Sequence, residues 1–169
     1  NRSFQDEMFL PVTGDSETFD AGCLWTSSTP IHLPEEIRFY YGAYPGWNSD
    51  LENDSTGIGL AILPRDRFAA IEPTDAIAQV TLKSIQLRNI KRITINADAT
   101  DGDVRVELLT AEGYRVAGYT RDQSVIITGN SFRHAVNWKG KTMADLAAGR
   151  YQLRLHLKNA GLFALTIQR

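Results

Sequence analysis

The stretch "YYGAYPGWNSDLENDSTG" carries side chains suited to holding a sugar. Tyr44 and Trp47 stand among turn-forming residues, where a hydrophobic core does not need aromatic rings. The C–H face of a sugar stacks on such rings, and its hydroxyls pair with carboxylate, amide and guanidinium groups. The sequence therefore predicts a carbohydrate site formed by Tyr44, Trp47, Asn48, Asp50, Asn53 and Arg38. The alternative is that Trp47 folds back as a lid on one end of the domain and binds nothing.

The acidic part of this loop is also a candidate calcium site. Asp50, Glu52 and Asp54 lie within a few residues of one another. Hard cations take several oxygen ligands from a flexible loop, although the spacing here is not that of an EF-hand. Calcium is therefore a candidate cofactor, and the alternative is a solvated acidic loop.

Catalytic arrangements are weakly represented, and we predict that the chain is not an enzyme. The three histidines do not have zinc-ligand spacing, and no Gly-x-Ser-x-Gly motif is present. A carboxylate pair for glycoside hydrolysis would come from Asp20, Asp66 and Asp122. A small hydrolase or lyase remains open only if His156, Arg154 and an acidic residue converge in a groove.

Composition describes an ordinary globular domain. The chain has 169 residues, a net charge of -2 and a hydrophobic fraction of 43%. This charge offers no general attraction to nucleic acid or to anionic membranes. No apolar run approaches the length of a membrane helix. The single cysteine, Cys23, is expected to be a buried hydrophobe, and the first residue, Asn1, indicates a piece of a larger protein.

Short strand-like runs separated by turn residues predict an all-β fold, an antiparallel β-sandwich of jelly-roll-like form. Several runs alternate apolar and polar residues, which is typical of antiparallel sheets with one buried face. Asp101-Gly102 predicts a hairpin, and Glu112-Gly113 predicts a further turn. The predicted strands span 35–44, 57–63, 67–73, 79–87, 92–99, 103–110, 151–159 and 162–168.

Residues 1–34 are predicted to form an arm or lead-in segment packed on a sandwich of residues 35–169. A helix of one or two turns is predicted within 141–149. Trp25 and Trp138 are both expected in the core.

The order of these pieces resembles one module: the β-sandwich that follows the five-bladed propeller in proteins similar to glycoside hydrolase family 32. The quoted runs that carry the resemblance are "GIGLAILPRDRFAAIEP", "ITINADATDGDVRVELLTAEGYRVAGYT", "VNWKGK" and "GRYQLRLHLKNAGLFALTI". The shared features are a Gly-x-Gly-Leu-Ala strand followed by Asp-Arg-Phe, an Asn-Ala strand leading into Gly-x-Val-Arg-Val-Glu-Leu, a Trp-x-Gly turn and a final apolar-aromatic pair. Similar modules often carry a histidine in the loop where this chain has Trp47 and Asn48.

The resemblance implies a function beside a catalytic domain. The catalytic carboxylates of such enzymes belong to the propeller, so none is carried over. It implies a bacterial, secreted or extracellular module that binds a polysaccharide or oligosaccharide, with the catalytic domain of the parent protein as its partner. The alternative is a structural accessory sandwich with no ligand of its own, which predicts an apolar patch on the isolated domain.

Overall fold

A computed structural model of the chain describes residues 8–15, 17–46 and 56–169. Ten strands occur in this part of the chain, and every strand pairing between them is antiparallel. The all-β, antiparallel class predicted from the sequence is confirmed. The strands are β1 (Cys23–Thr26), β2 (Ile31–His32), β3 (Glu36–Tyr44), β4 (Gly57–Pro64), β5 (Ile77–Thr81), β6 (Ile85–Leu87), β7 (Arg92–Thr110), β8 (Ile127–Ala135), β9 (Gly149–Lys158) and β10 (Gly161–Gln168).

The chain divides into two compact units, Asn1–Arg65 and Asp66–Arg169. The first contains one four-stranded sheet, in which β3 pairs with β1 and β2 along one edge and with β4 along the other. The second contains a six-stranded sheet. The division of the sequence into an arm of residues 1–34 and a sandwich of residues 35–169 stays a prediction.

One face of the first sheet is covered by aromatic residues that precede β1. The Phe9 ring lies edge-on to Phe39 at 5.6 Å between centroids, and Phe19 stacks on Tyr41 at 6.2 Å. Glycine is required beneath these rings. A Cβ on Gly57 would lie 2.6 Å from the Phe19 ring, and one on Gly59 would lie 2.1 Å from Tyr41. The Gly-x-Gly spacing of β4 therefore makes room for this aromatic layer.

The second unit is organised around β7, which is 19 residues long. Its first half pairs with β10 and β8, and its second half pairs with β9, which in turn pairs with β5 and β6. Inward side chains from both halves, Ile95 and Val106 among them, belong to one buried cluster with Leu155 of β9. β7 thus contributes to both layers of a sandwich-like core.

The hairpin predicted at Asp101-Gly102 is wrong, because β7 runs through both residues. A Cβ on Gly102 would lie 1.8 Å from the Lys158 carbonyl oxygen, so glycine serves a close backbone approach here. An irregularity in the pairing with β8, between Ala99 and Val104, accompanies the change of layer.

Two other strand predictions need correction. The run 67–73 is not a strand, and only Ile71 pairs there, through reciprocal backbone hydrogen bonds with Leu162. The run 79–87 divides into β5 and β6. β1, β2 and β8 were not predicted. The helix expected within 141–149 is one short 3-10 turn at Met143–Asp145.

The two tryptophans expected in the core differ. Trp138 is buried, donates its indole N–H to the Val106 carbonyl at 2.8 Å and lies edge-on to Tyr119 at 5.2 Å. Burial raises the pKa of Tyr119, and the nearby Asp145 charge raises it further. Trp25 is exposed, so its core assignment is wrong. Cys23 is half-buried. In the described ranges, no helix is long and apolar enough to span a membrane.

Candidate functional site

The face of the first sheet opposite Phe9 and Phe19 presents an apolar surface. Side chains alternate along a strand, so Tyr40 and Tyr44 lie on the face opposite Phe39 and Tyr41. The register places Trp25 opposite Gly42, Leu60 opposite Tyr40 and Ile62 opposite Arg38. We call this surface the open face, and its large apolar members are between 42% and 82% exposed: Trp25, Ile31, Tyr40, Ile58, Leu60 and Ile62.

The aromatic part of the open face surrounds a glycine. The rings of Trp25 and Tyr44 meet edge-on, with centroids 4.9 Å apart. Gly42 lies between the flanking strands, and an added Cβ there would meet no atom within 4 Å. The bare backbone at Gly42 therefore forms a shallow floor bordered by aromatic side chains. Such a floor accepts a flat molecule that can stack on rings.

Polar groups stand at one end of the same face. Arg38 forms an ion pair with Glu36 at 2.6 Å, and both side chains are partly exposed. Arg38 and Tyr44 are six residues apart on β3, which corresponds to about 20 Å along an extended strand. The open face is therefore long, with rings at one end and a charged hydrogen-bonding pair at the other.

Of the six predicted sugar ligands, Tyr44 and Arg38 share the open face. Trp47, Asn48, Asp50 and Asn53 lie outside the described residues, as do the remaining candidate calcium ligands Glu52 and Asp54. Their part in a site stays a prediction. Within the described ranges, no group of three or more His, Cys, Asp or Glu side chains could hold a metal ion.

The sequence did not identify Trp25 and Tyr40 as members of this candidate site. Trp25 follows Cys23 and Leu24, a context typical of core. Only its pairing opposite Gly42 shows that it shares a face with Tyr44. The adjacent Tyr40 and Tyr41 of β3 do predict one ring on each face of the sheet, because neighbouring strand residues point to opposite faces.

A second polar cluster occurs in the other unit. Glu107 of β7 has no exposed surface, and its carboxylate lies 3.0 Å from His156 Nε2 and 3.5 Å from Arg154 Nη1. Arg115 Nε lies 3.4 Å from the other oxygen, Oε2, which accepts no hydrogen bond from any described residue. The sequence identified Arg154 and His156 on one outward face, and Glu107 is the acidic residue that joins them.

This cluster does not have the form of an open catalytic site. A general acid or base must come within hydrogen-bond reach of the substrate proton. The Glu107 carboxylate is enclosed, whereas His156 and Arg154 retain 17% and 26% of their side-chain exposure. The geometry describes a buried carboxylate balanced by neighbouring cations, an arrangement that fixes side chains in place.

Arg67 forms a third cluster, also in the second unit. Its guanidinium carbon lies 4.7 Å from the centre of the Phe132 ring and 4.5 Å from that of Phe163. Its N–H groups donate to Asn96 Oδ1 at 2.9 Å and to Asn130 Oδ1 at 2.6 Å. Arg67 therefore fastens the segment that enters this unit to the outer face of β7.

Asp98 extends the Arg67 cluster. It accepts two bonds from Thr100 and one from the Asn130 amide. The Thr100 bonds hold the pKa of Asp98 below its usual range, and the Arg67 charge lowers it further. Asp98 also borders a cleft of about 490 Å³ with Glu72, Asp75 and Asp101. An acidic cleft without a bound ion does not by itself define a ligand.

Comparison with protein-family models, curated proteins and solved structures finds no match for this chain. The resemblance to the sandwich of glycoside hydrolase family 32-like proteins therefore stays a prediction.

Proposed function

We propose that this chain is a non-catalytic carbohydrate-binding module of a secreted, bacterial polysaccharide-degrading protein. The observation that carries the proposal is the aromatic part of the open face. Trp25, Tyr40 and Tyr44 present rings around the bare Gly42 floor, although a folded core normally takes up large aromatic side chains. Stacking of sugar rings on such side chains is the recognition mode that this arrangement supports.

The polar end of the open face supports the same proposal. Arg38 and Glu36 supply donors and acceptors for hydroxyl groups, and the Arg38 guanidinium suits an anionic substituent such as a uronate. Contacts at a solvent-exposed face recover little net energy, so a single site binds weakly. A polysaccharide that engages several copies of the module gains retention through effective concentration.

The loop that contains Trp47 belongs to the proposal through its sequence. Trp47, Asn48, Asp50 and Asn53 follow directly after Tyr44, Pro45 and Gly46. They are proposed to extend the aromatic surface with one more ring and with polar groups. Calcium, bound through Asp50, Glu52 and Asp54, is proposed as a cofactor of this loop.

Affinity electrophoresis in neutral, uronic and sulfated polysaccharides, with and without calcium, tests the proposal. Trp25→Ala and Tyr44→Ala should each lose most of the retention shown by the native chain. Gly42→Val should weaken it by filling the floor with a residue that favours strands. Tyr114→Ala is the matched control, because Tyr114 is an exposed tyrosine that belongs to the second unit and not to the sheet that carries the open face. Retention that survives all three open-face substitutions would refute this site.

A second candidate function is supported by the aliphatic part of the open face. Ile58, Leu60 and Ile62 are exposed, and hydroxyl-rich ligands have little use for such side chains. Exposed apolar patches mark protein contacts. The alternative is thus a structural accessory domain that packs on the catalytic domain of its parent protein. A chain that binds none of the polysaccharides would favour this alternative.

A further inference from the structure

The outer edge of β4 carries backbone groups that pair with no strand in the described part of the chain. β4 bonds to β3 along one edge, and no described strand lies along the other. The N–H of Arg65, the residue after β4, donates to the carbonyl of Glu35, the residue before β3, at 2.9 Å. Bonded and non-bonded positions alternate along an antiparallel ladder, so the N–H and C=O groups of Ile62, Leu60 and Ile58 point outward.

The pairing on the far side of β3 agrees with this alternation. Tyr40, the partner of Leu60, directs its carbonyl away from β4 and accepts a hydrogen bond from the Ser27 N–H at 3.0 Å. Residues at the level of Leu60 therefore do not bond across the β3–β4 pair. The outward groups of β4 receive no hydrogen bond from any described backbone group.

Within its own sequence and its pairing with β3, β4 lacks the features that protect an edge strand from the inside. Natural edges are shielded by charged side chains, by proline or by bulges. β4 reads Gly-Ile-Gly-Leu-Ala-Ile-Leu-Pro, with no charged residue, no bulge in its pairing with β3 and its proline at the last position. The residues with outward backbone groups are also those whose side chains are exposed on the open face: Ile58, Leu60 and Ile62.

We propose that this edge pairs with the same edge of a second copy of the chain, forming a two-fold dimer with a continuous sheet. The β4 sequence is self-complementary about Leu60. An antiparallel pairing with Leu60 opposite Leu60 places Ile58 opposite Ile62 of the second copy. Each of the three residues then donates one backbone hydrogen bond and accepts one, and the apolar side chains meet on a single face.

The second copy is favoured over a sugar or an unrelated protein by this symmetry. An isologous interface requires one patch to complement itself, which the order Ile-x-Leu-x-Ile does. Sugars cannot supply the evenly repeated donors and acceptors of a β-strand. The two-fold axis would be perpendicular to the sheet, so the open faces of both copies would point to the same side. The dimer does not depend on glycan binding, and each proposal can fail without the other.

Sedimentation equilibrium and light scattering of the native 169-residue chain test the dimer directly. The expected mass is that of two chains, falling to one on dilution. A native chain that is monomeric at every accessible concentration would overturn the proposal without any variant. Non-stoichiometric aggregates would overturn it as well, because a closed two-fold contact ends at two copies.

Substitution of Leu60 tests the register. Leu60→Lys should raise the dimer dissociation constant at least about tenfold, since two ammonium groups would face each other across the axis. Leu60→Glu should do the same. Mixing the two variants should restore a dimer that contains one copy of each, because opposite charges then meet. Tyr114→Lys is the control for an added surface charge and should remain dimeric. Failure of the mixture to pair would exclude the Leu60-centred contact.

Discussion

His156 places its Nε2 3.0 Å from a carboxylate oxygen of Glu107, a residue with no exposed surface. The two residues lie on neighbouring strands, two positions out of register, because Glu107 pairs directly with Arg154. A buried carboxylate is tolerated only when cations or hydrogen-bond donors compensate for lost hydration. Arg115 and Arg154 complete that compensation from two directions.

Removing the carboxylate should therefore be costly. Glu107→Ala leaves the surrounding cations without their partner and opens a cavity, and we expect a loss of about 3–5 kcal/mol in the free energy of unfolding. Urea denaturation monitored by tryptophan fluorescence measures this loss in the free energy of unfolding. Combined with His156→Ala, the double-mutant cycle should give a coupling energy of at least about 0.5 kcal/mol. Strictly additive losses would show that the pair does not interact.

Arg105 provides the matched comparison for Glu107. It occupies the position opposite His156 and pairs with Asp103 at 3.5 Å, with both side chains over a quarter exposed. Arg105→Ala should cost less than about 1 kcal/mol, because hydrated ion pairs contribute little.

The stacked guanidinium of Arg67 leads to a second prediction. Arg67→Lys keeps the charge but cannot bond Asn96 and Asn130 together while lying flat between two rings. We expect a loss of about 1–3 kcal/mol in the free energy of unfolding. Arg133→Lys, at an exposed position of β8, should change it by less than about 0.5 kcal/mol. If the two substitutions had equal effects in thermal or urea unfolding, the contacts of Arg67 with the two asparagines and the two rings would not contribute to stability as proposed.

Two glycines of the first sheet should respond differently to alanine. Gly59→Ala brings a methyl group into the Tyr41 ring and should destabilise the chain by about 1–3 kcal/mol. Gly42→Ala meets no atom and should be neutral or stabilising by up to about 1 kcal/mol, because glycine weakens strand interiors. Unfolding curves of both variants measure these two changes in stability. A destabilised Gly42→Ala would mean that another group packs against Gly42 on the open face.

Asp98 should make stability depend on pH. Its pKa is lower in the folded chain than in the unfolded one, so its contribution to stability is fully present above the unfolded pKa. That contribution disappears as the pH falls through the folded value. Asp98→Asn should therefore destabilise the chain at neutral pH, and its unfolding free energy should approach that of the native chain in acid. If the difference in unfolding free energy between the native chain and Asp98→Asn stayed constant from neutral to acidic pH, Asp98 would not be the source of the pH dependence.

The sequence predicted the class of fold because period-2 alternation reports burial directly. In β9, Leu153, Leu155 and Leu157 face the core, and Arg154 and His156 face outward, as their order requires. β8 escaped prediction because Gly129, Asn130 and Ser131 are more typical of a turn than of a strand. The false hairpin at Gly102 arose because a glycine that relieves a close backbone contact looks like a turn glycine.

The site was less predictable than the fold. Tyr44 and Arg38 were identified by residue type, and their common face follows from their even spacing on β3. Trp25 could not be placed on that face, because strand pairing between distant segments determines its neighbours. Glu107 looked like an ordinary outward residue of an alternating strand, since its burial depends on what covers that side of β7.

The pairing of β7 with β10 also constrains how the second unit is made. Arg92 and Gln168 are partners across 76 positions of sequence. During synthesis, the first half of β7 leaves the ribosome long before the strand that completes its hydrogen bonds. The apolar residues of this half of β7 cannot complete their pairing until residues 161–168 have been synthesised. The last step in completing this sheet is therefore a contact between distant parts of the chain, and contacts of large sequence separation slow folding.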